Sequence, residues 1–180
     1  MKHIVLFSMF AMFYALSTVT AADNQPLSLE LQKLNIFVGH WEFHGKTLET
    51  PFGKAGIWSW NEDCRWSDDQ VYLLCSFSNV WSGKSVNSLV VDTYNKKDRG
   101  YWHYEIFADG QTGSRPFISK MMITGNTWTE YGQDKDNGKK ISERIVYRYN
   151  SPKEVDVAIQ VSRDGVHWLT VDRGRGVKQP

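Results

Sequence analysis

Three side chains with the chemistry of a metal site, His40, Glu42 and His44, alternate within one short segment of the sequence. In a strand they would share one face, because strand side chains alternate with a period of two. One strand supplies too few ligands for zinc, so a neighbouring strand would have to contribute the rest. The intervening residues, Trp41 and Phe43, are apolar. We therefore expect the three polar side chains to face solvent, without a metal.

Two later histidines could act as ligands or as proton carriers. His103 lies between Trp102 and Tyr104, so it is expected to be exposed if those two rings face a core. His167 lies two residues before Leu169 and shares its parity. In a strand this would direct His167 inward, toward the mouth of a barrel.

Motifs that would identify an enzyme are missing from the sequence. It contains no Gly-x-Ser-x-Gly, no His-Glu-x-x-His, no glycine-rich phosphate loop and no Cys-x-x-Cys. Acidic pairs such as Glu62–Asp63 and Asp68–Asp69 are explained by strand ends and turns. The sequence predicts a protein that is not an enzyme, although sites assembled from separate strands leave no such motif.

Cys64 and Cys75 are the only cysteines in the sequence. The segment around them reads as a hairpin that turns near Asp69 and Gln70, which would place the two cysteines directly opposite each other. An oxidising compartment would favour a disulfide between them, with two free buried thiols as the alternative.

The compartment is indicated by the first residues of the chain. A short basic start is followed by an apolar run from Ile4 to Leu16 and then by small residues up to Ala22. This pattern predicts a secretory signal peptide over residues 1–22 and a periplasmic or secreted protein. No later segment is apolar enough to span a membrane as a helix.

Residues 23–180 are predicted to form one domain. Without Lys2 this part of the chain carries 20 basic and 20 acidic side chains, with no large basic cluster, which disfavours nucleic acid and anionic membranes as partners. Aromatic residues are frequent, at 14% of the chain, and include 8 tryptophans. Such rings suit half-buried strands.

Most of this domain alternates with a period of two between short turn segments. After a short helical lead that ends near Gly39, we expect about ten antiparallel strands in up-and-down order. An open sheet of this size would expose two edges, and closure removes them. The predicted fold is an all-β barrel with a short N-terminal helix.

Two short motifs resemble calycins, the superfamily of lipocalins and their relatives. The first is Leu34-x-x-Phe-Val-Gly-x-Trp41, and the second is Ser162-x-Asp-Gly-x-x-Trp168 near the C-terminus. Together they look most like a family of uncharacterised exported bacterial lipocalin-like proteins. The resemblance implies a calycin barrel in which Gly39 lets the helix approach and Trp41 plugs the closed end. It also implies an arginine of the last strand packed on that indole, for which Arg173 is the candidate.

The predicted strand count and the late His167 are also similar to nitrobindins, ten-stranded calycin barrels that bind haem through a histidine near the C-terminus. The chain departs from their Gly-x-Trp-x-Gly-x-Gly pattern because Phe43 stands at the middle glycine. Haem held by His167 is therefore an alternative; otherwise we expect no resident cofactor.

The preferred functional hypothesis is a barrel that holds a small apolar or amphipathic ligand in its interior. The alternatives are a haem protein and a structural or stress protein of the envelope whose own aromatic side chains fill the barrel. The sequence does not identify the ligand. The residues predicted to line the site are Trp58, Trp60, Trp81, Trp102, Tyr104, Tyr147 and His167.

Overall fold

The computed structural model of the protein describes residues 28–81, 84–107, 117–136 and 138–180. The predicted signal peptide, residues 1–22, lies outside the described residues. Within the described ranges, no helix is long and apolar enough to cross a membrane.

Ten strands follow a short helical lead, as the alternating pattern predicted. The lead consists of α1, Leu29–Lys33, and a 3-10 turn, Leu34–Ile36. The strands in chain order are β1 Gly39–Thr47, β2 Gly56–Trp66, β3 Leu73–Trp81, β4 Lys84–Asn95, β5 Gly100–Phe107, β6 Phe117–Thr124, β7 Thr127–Asp136, β8 Lys139–Ser151, β9 Glu154–Ser162 and β10 Leu169–Lys178.

The sheet closes on itself. Each strand pairs antiparallel with the next one in the sequence, and β1 also pairs with β10, with Trp41 opposite Lys178 and Thr47 opposite Asp172. This is the predicted all-β, up-and-down barrel with a short N-terminal helix. Closure leaves no free sheet edge among these ten strands and creates an interior toward which every second side chain points.

The helical lead covers one end of the barrel. Ser28 caps α1 by accepting a hydrogen bond from the backbone N–H of Leu31 at 3.2 Å, which satisfies one of the free donors of the first turn. The Tyr101 hydroxyl approaches Glu30, 3.1 Å from its carbonyl oxygen and 2.6 Å from its carboxylate. These contacts connect the lead to β5.

Trp41 occupies the covered end of the barrel, where the calycin resemblance placed it. Its side chain is 1% exposed, and its indole N–H donates to the carbonyl oxygen of Phe37 at 3.1 Å. Gly39 joins the lead to β1 with a φ of +111°, a conformation that side chains disfavour. The lead therefore turns directly into the strand that carries the plug.

Arg173 does not pack on Trp41, and that prediction is wrong. Lys178 takes the place, with its ammonium 5.2 Å from the centre of the indole ring. The cause is an irregularity in the pairing of β10 with β9 between Thr170 and Asp172. A bulge of this kind reverses the alternation of a strand, so Arg173 lies on the outer face and is exposed.

The two cysteines form the predicted disulfide. Cys64 of β2 and Cys75 of β3 are direct partners in the register, their sulfurs are bonded, and their Cα atoms are 4.1 Å apart. That separation is shorter than the roughly 5.5 Å expected of a disulfide. The bond lies in the interior, where both residues are buried.

We expect Trp41→Ala to lower the free energy of unfolding by about 3–5 kcal/mol, because it removes a buried ring from a packed site. Urea unfolding followed by circular dichroism measures this. Trp102→Ala, on the outer face, is the matched control and should cost roughly 1 kcal/mol or less. Equal losses in the two variants would contradict the placement of Trp41.

We also expect the disulfide to form in the exported protein and to stabilise it by about 3 kcal/mol, the value for a closed loop of this length. Thiol titration of the denatured protein should detect no free thiol, and the double variant Cys64→Ser/Cys75→Ser should unfold at lower urea concentration. Two titratable thiols in the exported protein would contradict the prediction.

Candidate ligand site

The barrel interior contains both an aromatic core and a set of ionisable side chains. The covered end is packed with Leu34, Phe37, Trp41 and other apolar side chains. Strands β2, β4, β5, β6 and β7 also direct polar side chains inward. The buried polar residues of this belt are Glu62, Ser88, Asp92, His103, Ser119 and Glu130.

His103 lies at the centre of the polar belt. In the register of β5 it faces Asp92 of β4 on one side and Ser119 of β6 on the other. Its Nδ1 is 2.9 Å from Asp92 Oδ1, and its Nε2 is 3.7 Å from Glu130 Oε1. Ser119 donates a hydrogen bond to the same Glu130 oxygen at 2.6 Å. Four neighbouring strands thus supply one connected polar cluster.

The carboxylates around His103 keep its ring protonated. Burial by itself lowers the pKa of His103, but the negative charges of Glu130 and Asp92 outweigh burial and raise the pKa to about 10. The ring is therefore a cation at neutral pH, and both of its nitrogens are donors.

Glu105 is the next inward residue of β5 after His103. It accepts a hydrogen bond from Ser88 Oγ at 2.5 Å. Burial raises the pKa of Glu105, while the Ser88 hydrogen bond and the charge of His103 oppose that rise. A third carboxyl group, beside those of Asp92 and Glu130, is therefore held next to this cluster.

Glu62 projects from β2 into the same interior and is 6% exposed. Burial, followed by the charge of Asp92, raises the pKa of Glu62 to about 8. Its Oε1 lies 3.0 Å from Cys64 Sγ. Because that sulfur belongs to the disulfide and carries no proton, the carboxyl group is the donor in this contact. The disulfide likewise removes both sulfurs as metal ligands, so Glu62, Cys64 and Cys75 do not form a metal site.

A cavity of about 310 Å³ adjoins the polar belt. Its walls are largely apolar and aromatic, with carboxyl groups and His103 on one side. The described residues that line it are Trp60, Phe77, Asn79, His103, Glu105, Phe107, Phe117, Glu130, Glu143, Ile145, Tyr147 and Ile159.

Two polar atoms in the wall of this cavity lack a hydrogen-bond partner. They are the indole Nε1 of Trp60, a residue that is 7% exposed, and Oδ1 of Asn79. The two residues are direct partners in the register of β2 and β3. A buried donor and a buried acceptor without partners are costly, and both belong to side chains that line this cavity.

A second cavity, of about 500 Å³, lies farther from the covered end. The segment between β1 and β2 borders it through Phe52, whose ring lies 4.9 Å from the guanidinium of Arg163. Glu143 and Ile159 line both cavities. The two cavities are therefore neighbours, with Glu143 and Ile159 between them.

Three of the predicted site residues lie in the interior. Trp60 and Tyr147 line the cavity beside the polar belt. Trp58 is also buried, and its ring stacks on that of Trp60 at 4.5 Å between centroids. The side chain of Trp81 lies outside the described part of the structure.

Trp102 and Tyr104 do not line the interior, and the expectation that His103 is exposed is wrong. Tyr104 is 36% exposed, whereas His103 is 8% exposed. The predicted alternation of β5 was correct, but Trp102 and Tyr104 were assigned to the inner face. The carboxylates of neighbouring strands stabilise His103 inside the barrel, so the polar residues of β5 are the ones that point inward. The signal in the sequence is the alternation of His103 and Glu105 between Tyr101 and Phe107.

His167 also lies elsewhere than predicted. It precedes β10, its side chain is 88% exposed, and its Nδ1 is 2.7 Å from Asp164 Oδ2. Asp164 accepts the backbone N–H groups of Val166 and His167 as well, and Ser162 accepts that of Gly165. The motif is thus a capped turn. The haem alternative required His167 in the interior, and the structure does not place it there.

We expect stability to fall as the pH rises from about 5 to 10. The folded state binds protons more tightly than the unfolded chain at several buried groups, including Glu62 and His103, because their pKa values are raised. The contribution of Glu62 is lost between its ordinary value of 4.5 and about 8. The contribution of His103 is lost between 6.5 and about 10.

Urea unfolding at a series of pH values measures this dependence. Glu62→Gln should flatten the profile between pH 4.5 and 8, whereas Glu42→Gln on β1 should leave it unchanged. A wild-type stability that increases over this range would contradict the protonation of Glu62.

Two solved structures share the fold. A crystal structure of Rv2717c from M. tuberculosis superposes with a TM-score of 0.57 and 13% identity, and covers 86% of this chain and 100% of that one. The S-type phycobiliprotein lyase CPES from Guillardia theta gives a TM-score of 0.55 and 11% identity, with 86% and 94% covered.

Both neighbours are lipocalin-like barrel proteins, and at these identities the likeness concerns the fold alone. No protein-family model and no curated protein matches the sequence. The chain therefore shares the barrel fold of these two structures.

Proposed function

We propose that the barrel binds a small amphipathic organic molecule in the cavity beside His103. The observation that carries this proposal is the pair of buried, unpartnered polar atoms, Trp60 Nε1 and Asn79 Oδ1, in an otherwise largely apolar wall. Small-molecule sites typically combine apolar walls with a few convergent polar groups.

The size of the cavity limits the ligand. A volume of about 310 Å³ is at the lower end of the roughly 300–1,000 Å³ that such pockets span. It suits a molecule with one ring or a short chain. A barrel filled by its own aromatic side chains, the structural alternative, is disfavoured because the interior retains a cavity of this volume beside the polar belt.

The proposed location is the periplasm or the extracellular space. The signal-peptide pattern of residues 1–22 and the disulfide between Cys64 and Cys75 support it, since disulfides persist in oxidising compartments. Binding, rather than catalysis, is proposed because the polar belt is internally paired: His103 lies between Asp92 and Glu130, and the Ser88 and Ser119 hydroxyls each donate to a carboxylate.

The test uses 2-phenylethanol, a neutral probe of suitable size, and the indole N–H signals of the tryptophans in nitrogen–proton correlation spectra. Trp60→Phe keeps the ring stack but removes the unpartnered donor, so it identifies the Trp60 signal by its loss. We expect that signal to shift saturably with the probe, because the probe's hydroxyl oxygen accepts from Nε1.

Trp102→Phe is the matched control, since it identifies an indole on the outer face whose signal should not move. Ile159→Trp should fill the cavity and reduce binding at least about tenfold, the equivalent of 1.4 kcal/mol. Absence of any saturable shift, or a response that Ile159→Trp leaves unchanged, would argue against an interior site.

A further inference from the structure

The ionisable groups around the cavity are unequal in sign. Among the described lining residues there is one base, His103, and no lysine or arginine, whereas Glu105, Glu130 and Glu143 are acids. Asp92 and Glu62 stand in the same polar belt. The raised pKa of Glu62, about 8, keeps this acid protonated at neutral pH.

The charge of His103 is already engaged by two carboxyl groups other than Glu105. Its two nitrogens already face Asp92 at 2.9 Å and Glu130 at 3.7 Å, so its single positive charge is shared between two carboxyl groups. Glu105 has a neutral partner, the Ser88 hydroxyl, and lines the cavity. Burial disfavours the ionised form of Glu105 and raises its pKa. A bound cation beside Glu105 would stabilise the carboxylate and compensate for that burial.

The rest of the wall fits the same kind of ligand. Aromatic rings from several strands border the cavity, among them Trp60, Phe77 and Tyr147, and ring faces attract cations when water is excluded. The unpartnered indole N–H of Trp60, which is independent of the acidic groups, requires an acceptor such as a hydroxyl or carbonyl oxygen. Asn79 Oδ1 beside it can accept from a hydroxyl group.

We propose that the ligand is an amphipathic organic cation, with an apolar body of one ring or a short chain, a protonated amine beside Glu105 and a hydrogen-bond acceptor at Trp60. This assignment rests on the proposed interior site and adds the charge of the ligand that the site binds. Anionic ligands of the same size, such as short fatty acids, are excluded because the acidic side of the cavity would repel them.

Three probes that share a ring and a chain length separate the effect of charge from that of shape. They are 2-phenylethylamine, 2-phenylethanol and phenylacetate, titrated into the intact protein by calorimetry at pH 7. We expect the amine to bind at least about tenfold more tightly than the alcohol, the effect of one charge-assisted hydrogen bond. Phenylacetate should show no measurable binding.

Glu105→Gln removes the charge and keeps the shape. It should reduce the affinity for the amine by about tenfold or more and leave that for the alcohol within about twofold. Glu42→Gln is the matched control on β1, and it should change neither the affinity for the amine nor that for the alcohol. Circular dichroism verifies the fold of each variant, and the comparison of the three probes on the wild-type protein requires no variant at all.

The outcomes distinguish this inference from the proposed function. Alcohol binding equal to or tighter than amine binding would overturn the assignment of a cationic ligand but would leave the proposed interior site standing. Tighter binding of phenylacetate would overturn it as well. If none of the probes binds, the interior site itself fails, and the charge assignment fails with it.

Discussion

Pairing of β1 with β10 is the constraint on which the other features depend. The seven partnered positions from Trp41 to Thr47 convert a meander of ten strands into a closed wall. Closure gives the chain an inside, and the inside holds the disulfide, the aromatic plug and the polar belt. The ionisable groups could not be retained in an open sheet with the same pKa values, because water would screen their charges. The raised pKa values of Glu62 and His103 are therefore consequences of closure, as much as of their immediate neighbours.

The polar belt is difficult to explain by stability alone. Replacing buried ion pairs by apolar side chains is often neutral or stabilising in proteins, and the covered end of this barrel shows that the chain can pack its interior with rings. Yet strands β4 to β7 direct Asp92, His103, Ser119 and Glu130 inward at adjacent positions. Their internal pairing lowers the cost of burial without removing it. A recognition role for the neighbouring cavity gives a reason for the charged groups, and their placement on paired strands, rather than on loops, holds them in fixed geometry.

Much of the fold follows from the sequence because local patterns determine it. The opposition of Cys64 and Cys75 needs only a hairpin turn of defined position, and the alternation of β9 identifies its inner face without ambiguity. The site was less accessible to such reasoning. Both faces of β5 carry large rings, so hydrophobicity does not determine which face points inward. Long-range partners such as Asp92 determine it. On β10 one bulge reversed the inner face, which exchanged Arg173 for Lys178 at the plug. Neither a pairing partner nor a bulge has a reliable signature in one segment of sequence.

The same aromatic content is compatible with a solid barrel and with a hollow one, and small residues determine which is formed. The rings of Phe43, Trp60 and Trp58 stack in sequence along β1 and β2, with centroids 4.7 and 4.5 Å apart. The Trp58 ring occupies the space that a side chain would need at Gly45 and Gly174, its neighbours on β1 and β10. Because those positions lack a Cβ, the ring can lie against the wall instead of crossing the lumen. Three large rings are thereby accommodated on one side of the barrel, and the opposite side, lined by β5 to β8, retains the room and the charges for a ligand.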